Sequence, residues 1–306
     1  MTFTLFPDTR LALARDSLTG LSVGDALGSQ FFVPGRRPDD MAAGRLPPPP
    51  WRWTDDTEMA CSVVAELAEH GDIDRDRLAL AFAERCEPYR GYGPGAVVIL
   101  RLIRTGTPWP VAAASAFDGQ GSCGNGAAMR VGPLGAWFAD STTRAAAQAR
   151  ASAEVTHAHP EGIAGAVAVA VAAALAARAR LDGDRPDPAR LLAAVAATLD
   201  PAAEVHRRVR RAAGLLGRGL PEVVEALGNG AGVTAQDTVA FTLWVAATHL
   251  DDYPAAIRAC VEAGGDVDTT AAIVGAIVSA HTGVGTPGGI PDGWLAAREP
   301  LPDWVR

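Results

Sequence analysis

The chain has 306 residues, a net charge of −8, 48% hydrophobic residues and 20% charged residues, which exclude a disordered chain and describe a globular protein with a large core. No basic run or stripe is present, so we expect no direct binding of nucleic acid. The four cysteines form no CxxC pair, which argues against a disulfide framework or a structural zinc site. Residues 1–15 lack the layout of a signal peptide, so we expect a cytoplasmic protein.

Helical periodicity dominates the chain, and alternating strand patterns are almost absent. Residues 8–27 are predicted to form the first helix, and the Pro/Gly/Arg-rich residues 34–50 are predicted to form a surface loop without helix. A helix is predicted to open at Thr54. Further helices are predicted at residues 74–86, 94–104, 108–117, 127–138, 141–155, 162–180, 189–199, 203–215, 221–227, 235–248, 254–262 and 269–280. The proline-rich tail after residue 285 is predicted to be irregular.

The predicted helices indicate one all-α domain. The longest apolar run, residues 162–177, is short for a membrane span and is better explained as a helix buried on all sides, so no membrane association is expected. The two acidic segments described next lie near opposite ends of the chain, and a domain boundary would separate them. We therefore predict a compact multi-helix bundle that comprises residues 1–306 and exists as a monomer.

Two acidic segments stand just ahead of apolar helical runs. They read Thr54-Asp55-Asp56-Thr57-Glu58 and Gly264-Gly265-Asp266-Val267-Asp268-Thr269-Thr270. Two carboxylates about 4 Å apart repel by about 4 kcal/mol at an effective dielectric near 20, so bringing both segments together calls for a cation between them. Hard oxygen ligands suit Mg²⁺, Mn²⁺ or Ca²⁺ better than zinc. The two segments together predict a shared, oxygen-lined site for two metal ions.

Helix capping is the alternative explanation for each segment taken alone. Asp and Thr are favoured N-cap residues, and acids in a first turn interact well with the helix dipole. Asp55 and Glu58 also have the spacing of a capping box. Capping accounts for one acid per helix, whereas each segment supplies two, and this favours the metal site.

A glycine-dense loop at residues 119–126 leads into the predicted helix at 127–138. Backbone N–H groups at such a position can hold a diphosphate, although the loop lacks the lysine of a P-loop. Arg130 could pair with a carboxylate or reach a phosphate. His157 and His159 could suggest a zinc site, but residues two apart at a helix end point in different directions. Loop aromatics offer a platform for a base or an acceptor group: Trp51, Trp53, Tyr89 and Tyr92.

The order of five motifs resembles that of the ADP-ribosylglycohydrolase family, of the DraG type, from about residue 10 to residue 285. The motifs are Gly24-Asp25-Ala26-Leu27-Gly28, Trp53-Thr54-Asp55-Asp56-Thr57, Gly124-Asn125-Gly126-Ala127-Ala128-Met129-Arg130, Thr156-His157 and Gly265-Asp266-Val267-Asp268-Thr269-Thr270-Ala271. The resemblance implies an all-helical fold with two Mg²⁺ or Mn²⁺ ions. It also implies hydrolysis of the glycosidic bond between ADP-ribose and an acceptor, commonly a side chain of a protein.

The resemblance also assigns residues to roles. The implied metal ligands are Thr54, Asp55, Asp56, Asp266, Asp268 and Thr269. Asp55 or Asp56 would take the proton of the attacking water. The implied substrate-binding residues are Asp25, Gly121, Ser122, Gly124, Asn125, Gly126 and His157, whereas His159, His281 and Met129 are expected to be structural.

One position departs from the family pattern. Many relatives carry a glutamate a few residues after the Gly-Asp-Ala-Leu-Gly motif, and this chain has Phe32 there. Proton transfer would then fall to the aspartate pair or to Glu58, although Glu58 is expected to cap its helix. Three hypotheses remain open: hydrolysis of ADP-ribosyl-arginine on protein, ADP-ribose binding without catalysis, and hydrolysis of another ribosylated small molecule.

Overall fold

Helices make up almost all of the regular structure in the computed structural model, which describes residues 4–305. The remaining ends of the predicted domain, residues 1–3 and 306, lie outside the described residues. No β-strand occurs within 4–305, where the only bridges are Trp51 with Arg298 and Gly124 with Thr234. The α-helices are α1 Pro7–Gly28, α2 Pro38–Ala42, α3 Asp55–His70, α4 Arg75–Arg85, α5 Pro94–Arg104, α6 Trp109–Ala114, α7 Gly132–Trp137, α8 Thr142–Glu154, α9 Pro160–Asp182, α10 Pro188–Ala196, α11 Glu204–Ala213, α12 Leu220–Leu227, α13 Ala235–Thr248, α14 Tyr253–Ala263, α15 Val267–Thr282 and α16 Asp292–Ala297.

Helices α1 and α15 form the most extensive helix pair in the described chain. Glycines at every fourth residue of this face of α1 allow the backbones of α1 and α15 to approach each other closely. A Cβ added at Gly20 would lie 2.3 Å from the carbonyl oxygen of Gly275, and one added at Gly24 would lie 2.2 Å from that of Ala271. At the end of the row, a Cβ on Gly28 would lie 2.6 Å from the carbonyl oxygen of Val267. This glycine face brings the end of α1 against the start of α15, where the second acidic segment lies.

Helix α9 lies at the centre of the packing, in contact with α7, α8, α13 and α15. Its 23 residues would suffice to cross a membrane by length and composition, but 72% of its most apolar window is buried inside the protein. The Ala and Val side chains of the sequence run are almost all buried, which confirms the prediction of a core helix surrounded by other helices.

Several predictions about regular structure were wrong in part. Residues 34–50 contain the short helix α2, because Pro38 occupies its first turn, where proline needs no N–H partner. Helix α7 begins at Gly132 and not at residue 127, because Pro133 fits a first turn but would clash inside a longer helix. Helix α6 ends at Ala114, before the predicted residue 117.

The tail after residue 285 is more ordered than predicted, because it contains α16. Trp294 of this helix packs edge-on against Trp51, with ring centroids 6.4 Å apart, and against Tyr253 at 6.2 Å. The backbone of Trp51 donates to the carbonyl of Ala297 at 2.7 Å, and its carbonyl accepts from Glu299 N at 2.8 Å. The tail is therefore attached to the segment that leads into α3.

Candidate metal and ADP-ribose site

The start of α3 is fixed by a carboxylate from α1. Asp25, which is fully buried, accepts hydrogen bonds from the backbone N–H groups of Thr54 at 2.9 Å and Thr57 at 3.2 Å. The hydroxyl oxygen of Thr54 lies 2.8 Å from Asp25 Oδ1 and 3.0 Å from Asp56 Oδ2. Asp25, predicted as a substrate-binding residue, is thus joined by hydrogen bonds to Thr54, one of the predicted metal ligands.

The two acidic segments of the sequence meet at this point. Asp25, Asp56 and Asp268 each place one carboxylate oxygen so that the three oxygens lie within 4.8 Å of one another. Asp55 and Asp266 are close enough for their charges to act on Asp56. Thr269 is buried one residue further along α15. All six residues predicted as metal ligands thus gather in one region, together with Asp25.

Nothing in the described protein neutralises this cluster. Asp56 is only 1% exposed, yet its Oδ1 has no hydrogen-bond partner. None of the ion pairs formed within residues 4–305 includes any of the five carboxylates, Asp25, Asp55, Asp56, Asp266 and Asp268. A buried carboxylate oxygen that has no hydrogen-bond partner and lies among like charges destabilises the fold unless a cation binds it. The donor set is all oxygen, which fits a hard divalent cation.

The pKa values of the cluster reflect this crowding. Burial raises the pKa of Asp25 to about 6. Burial and the charges of Asp25, Asp266 and Glu58 raise the pKa of Asp55 to about 7. Burial, followed by the neighbouring carboxylates, raises the pKa values of Asp56 and Asp268 well above the ordinary range. Without a cation, the cluster therefore retains protons near neutral pH.

Asn125 connects the glycine loop to the cluster. Its side-chain nitrogen donates to Asp266 Oδ2 at 2.6 Å and to Thr238 Oγ1 at 3.0 Å. Both amide hydrogens are thereby used within the protein, and the backbone N–H bonds to the carbonyl of Val233 at 3.2 Å. Asn125 orients Asp266, and only the side-chain carbonyl oxygen of Asn125 is left for other contacts.

A second Gly-Asn-Gly sequence, Gly228–Asn229–Gly230, contacts the backbone of Asp266. The backbone carbonyl of Asn229 accepts from Asp266 N at 3.3 Å, and its side chain donates to the carbonyl of Ala263 at 2.8 Å. Sequence reasoning missed Asn229. The signal was the repetition of the motif found at residues 124–126.

The glycine loop leaves backbone donors free. The N–H groups of Ser122 and Cys123 have no acceptor within residues 4–305, while the hydroxyl of Ser122 accepts from Gly124 N at 3.1 Å. Gly121 has a φ of +77°, and a Cβ there would lie 2.7 Å from the backbone nitrogen of His159. This close contact places the loop against the start of α9. The N–H groups of Ser122 and Cys123 are available to donate to an anion.

His157 closes the loop on its other side. It is 6% exposed, and its Nε2 lies 3.3 Å from the position of a Cβ added at Gly126 and 3.4 Å from one added at Gly124. Its Nδ1 lies 2.8 Å from the hydroxyl oxygen of Thr156. Burial and the charge of Arg130 lower the pKa of His157 to about 3, so the ring is neutral.

Arg130 does not pair with a carboxylate, which was one of the two roles predicted for it. It is completely buried, and it donates to the carbonyl of Ser152 at 2.6 Å, to Thr156 Oγ1 at 3.0 Å and to the carbonyl of Gly126 at 3.4 Å. No carboxylate within the described chain accepts from it, and its polar contacts are with oxygens of the protein itself. The motif places Arg130 on the buried side of the glycine loop, where the packing of the surrounding segments determines its hydrogen-bond partners.

Glu58 does not cap its helix, so that prediction was also wrong. Thr54 is the N-cap, and Glu58 Oε2 accepts from the hydroxyl of Tyr92 at 2.6 Å and from Glu87 N at 3.0 Å. The carboxylate thereby fixes the loop that follows α4, and Gly91 of this loop lies beside Asp55. The sequence spacing fits both roles, and only the fold distinguishes them.

The other predicted residues have clear positions. His159 caps α9 through Nδ1, which accepts from Glu161 N at 3.1 Å, and His281 pairs with Asp251 at 3.1 Å, as expected for structural histidines. Met129 is buried in the core, also as expected. Among the four loop aromatics only Tyr89 is well exposed, whereas Trp51, Trp53 and Tyr92 are buried.

Exposed apolar side chains near the site were not predicted. Phe117 is 63% exposed and has a φ of +52°, a strained conformation for a bulky residue, just before the glycine loop. Val233, whose carbonyl accepts from Asn125, has a φ of +53°. Strain of this kind collects at functional sites. Phe32 is 54% exposed at the end of the turn that follows α1 and brings no carboxylate to the site.

Fold and site together define a helical protein built around a buried carboxylate cluster and a glycine loop. The chain matches the family model of ADP-ribosylglycohydrolase over residues 7–306. A solved structure described as an ADP-ribosylglycohydrolase-related protein complex superposes with a TM-score of 0.66 at 29% identity, covering 95% of this chain and 94% of that one. The protein belongs to the ADP-ribosylglycohydrolase family.

Relatives in vertebrates carry the name ADP-ribosylhydrolase ARH3. The protein of Gallus gallus is 32% identical over 163 residues, which cover 47% of this chain and 44% of that protein. The protein of Danio rerio is 27% identical over 334 residues, which cover 96% of this chain and 88% of that protein. The chain thus spans less than half the length of the first relative and most of the second.

Proposed function

We propose that the protein is a Mg²⁺- or Mn²⁺-dependent hydrolase that cleaves the glycosidic bond between ADP-ribose and an acceptor, with ADP-ribosyl-arginine on protein as the first candidate substrate. The observation that carries the proposal is the convergence of Asp25, Asp56 and Asp268 within 4.8 Å, beside the glycine loop. Membership of the ADP-ribosylglycohydrolase family supports the class of substrate.

The residues present fit a pair of divalent cations. The Oδ1 of Asp56 has no hydrogen-bond partner, and no basic side chain within residues 4–305 pairs with the carboxylates, so they can bind a cation. Thr54, Asp55, Asp56, Asp266, Asp268 and Thr269 would hold the ions, with Asp25 beside them. Two bound ions would supply Lewis-acid stabilisation of ribose hydroxyls and a more acidic water.

Asp55 is the best candidate for the general base. It is less buried than Asp56, the other aspartate of α3, so a water molecule next to the substrate can reach its carboxylate more readily. Asp56 is buried among the other carboxylates and is better suited to hold a cation. The remaining negative charge would stabilise the oxocarbenium character of the transition state.

The glycine loop is proposed to hold the diphosphate. The free N–H groups of Ser122 and Cys123 can donate to phosphate oxygens, and Gly124 and Gly126 lie against the ring of His157 with no side chain between them. The exposed ring of Phe117 can stack on the adenine, an interaction that depends little on the exact position of the base. The distal ribose, the diphosphate and the adenine thus each have a group of matching chemistry.

Phe32 supports a second candidate function, in which the protein binds ADP-ribose without cleaving it. An exposed phenyl ring stands where many relatives have a glutamate, so one proton-transfer group is missing. The names of the vertebrate relatives contain hydrolase, which favours activity, but their substrates need not be those of this chain. Other ribosylated small molecules remain a third candidate.

The test is release of free ADP-ribose by purified protein. The protein is incubated with ADP-ribosyl-arginine, an ADP-ribosyl-serine peptide and a ribosylated nucleotide, each with Mg²⁺, with Mn²⁺ and with a chelator. We expect release with metal only, and loss of release in Asp56→Asn and Asp268→Asn but not in the surface variant Asp182→Asn. Binding of ADP-ribose without release from any adduct would select the second candidate, and absence of both would reject the proposal.

A further inference from the structure

Arg130 is a buried guanidinium without a carboxylate partner in the described chain, and its contacts lead to His157. Its side chain touches Ser152, Thr156 and Gly126 through polar atoms and lies 4.4 Å from the centre of the Phe82 ring. A guanidinium can only donate hydrogen bonds. The hydroxyl oxygen of Thr156, 3.0 Å away, must therefore act as an acceptor toward Arg130.

The proton of the Thr156 hydroxyl then has one destination. Within residues 4–305 the only other polar atom bonded to this hydroxyl is Nδ1 of His157, at 2.8 Å. Thr156 is 1% exposed, so solvent offers no alternative, and a buried hydroxyl proton without an acceptor would be costly. Nδ1 therefore accepts and carries no proton.

A neutral imidazole carries one proton, which in His157 is left to Nε2. The ring is neutral because burial, reinforced by the charge of Arg130, depresses its pKa. Nε2 has no hydrogen-bond partner within the described residues. The ring edge that bears it lies against Gly124 and Gly126, where any side chain would come within about van der Waals contact of the ring.

We propose that Arg130 is a positioning residue that acts through Thr156 to hold His157 as an Nε2–H donor directed at the glycine loop. The proposal rests on the proposed binding of ADP-ribose in that loop. A fixed donor selects an oxygen with a free lone pair, such as a phosphate oxygen, and disfavours a group that can only donate. The same arginine also holds the carbonyl of Gly126, so the loop and the ring are oriented by one side chain.

The protonation state can be read directly by NMR of protein labelled with ¹⁵N at its histidines. His157→Gln assigns the signal. We expect the wild-type spectrum at pH 7 to show an Nε2–H tautomer for His157, with or without Mg²⁺. In Thr156→Val, which removes the hydroxyl but keeps the shape, Nδ1 loses its donor and a mixture of tautomers is expected.

Binding of ADP-ribose in the presence of Mg²⁺ is measured on the same variants by calorimetry. Loss of one oriented hydrogen bond predicts an affinity about 3- to 10-fold weaker in Thr156→Val. Thr156→Ser retains the hydroxyl and should restore both the tautomer and the affinity. Thr242→Val removes another buried hydroxyl, one that bonds to the carbonyl of Val239, and should change neither.

An Nδ1–H tautomer in the wild-type protein would overturn the proposal. So would a Thr156→Val variant that keeps both the wild-type tautomer and the wild-type affinity. Failure of the wild-type protein to bind ADP-ribose would count against the proposed function instead, because the tautomer and its dependence on Thr156 are read without ligand.

Discussion

Asp56 shows how a single side chain can indicate a cation-binding site. A carboxylate oxygen that is buried and unbonded would be selected against in a core of ordinary packing, since replacing it with an uncharged group would stabilise the fold. Its position between acidic neighbours adds repulsion to the cost of burial. The oxygen is explained if a cation binds there.

Asp56→Asn separates metal binding from stability. We expect the affinity for Mn²⁺ to fall by at least about tenfold, because even residues that only orient metal ligands cost 10- to 100-fold when changed. The metal-free variant should also melt at a higher temperature than the metal-free wild type, because the Asn amide is neutral without having to hold a proton at a pH where the Asp56 carboxyl of the unfolded chain is ionised. Titration calorimetry and thermal unfolding after chelator treatment measure the two effects. Asp182→Asn, at an exposed site, should show neither; equal Mn²⁺ affinity in Asp56→Asn and wild type would contradict the assignment.

Gly126→Ala tests the space beside His157. The added Cβ would lie 3.2 Å from Cε1 and 3.3 Å from Nε2, so the ring must shift or the loop must open. We expect ADP-ribose to bind several-fold more weakly, with little change in Mn²⁺ affinity. Gly93→Ala is the control, because its Cβ meets nothing within 4 Å. Unchanged ADP-ribose affinity in Gly126→Ala would place the ligand elsewhere.

Residue types and motif order were enough to predict the six metal-ligand candidates, which the structure gathers in one region. They were not enough to predict how deeply each side chain is buried. Asp25 is a fully buried member of the cluster and Arg130 is fully buried behind the glycine loop, because burial depends on how distant helices pack. Glu58 had the spacing of a cap, and its partner Tyr92 became apparent only from the fold.

The helix pair α1 and α15 is the element on which the site depends. Its glycine face was foreseen in part, since the small residues from Gly24 to Gly28 indicated a close approach of a backbone or a ligand. The structure shows that it is a backbone, and that Gly20 and Gly275 extend the same face. The pairing partner could not be predicted, because many of the helices carry small-residue apolar faces.

Gly24→Ala should loosen this pair. Its Cβ would lie 2.2 Å from the carbonyl oxygen of Ala271, so the helices must separate, and overpacking of this kind costs about 1–3 kcal/mol or more. Denaturant unfolding of the metal-free protein measures the loss. The control is Gly293→Ala, a helical glycine with nothing within 4 Å, which should be neutral or slightly stabilising. A Gly24→Ala variant as stable as wild type would show that the helix pair tolerates separation.

Helices with strong periodicity were predicted closely, and residues 235–248 coincide with α13. Two of the errors arose at prolines. Proline is excluded from a helix interior but favours a first turn, so Pro38 begins a helix inside a predicted loop and Pro133 places the start of α7 at Gly132, after the predicted residue 127. Sequence alone does not show which of the two roles a proline takes.

For the whole molecule, the cluster predicts an unusual dependence of stability on pH. The metal-free fold holds Asp25 with a pKa of about 6 and Asp55 with a pKa of about 7, whereas both ionise near pH 4 when unfolded. The native state therefore binds more protons than the unfolded state between about pH 4 and pH 7, and its stability falls as the pH rises through this window.

We expect the midpoint of denaturant unfolding of the metal-free protein to fall from pH 5 to pH 8. Saturating Mn²⁺ should reverse the loss at pH 8, because a cation that binds only the folded state stabilises it. The variant Asp56→Asn should show a weaker dependence on pH. A metal-free wild-type protein that is more stable at pH 8 than at pH 5 would contradict the crowded cluster.

The single all-helical domain was predictable because the two acidic segments require one another. What the sequence could not show is how their convergence is achieved, since α1 and α15 are joined only by tertiary packing. The family model extends to residue 306, beyond the predicted core at about residue 285, and the structure accounts for this through the contact of α16 with Trp51.

The glycine face of α1 has a consequence for biosynthesis. The ribosome makes Asp25, Asp55 and Asp56 long before Asp266 and Asp268. Until α15 has been made, the glycine face of α1 lacks the helix that covers it, and the three earlier acids cannot meet the two later ones. The full carboxylate cluster can therefore assemble only after α15 has been synthesised and has packed on α1.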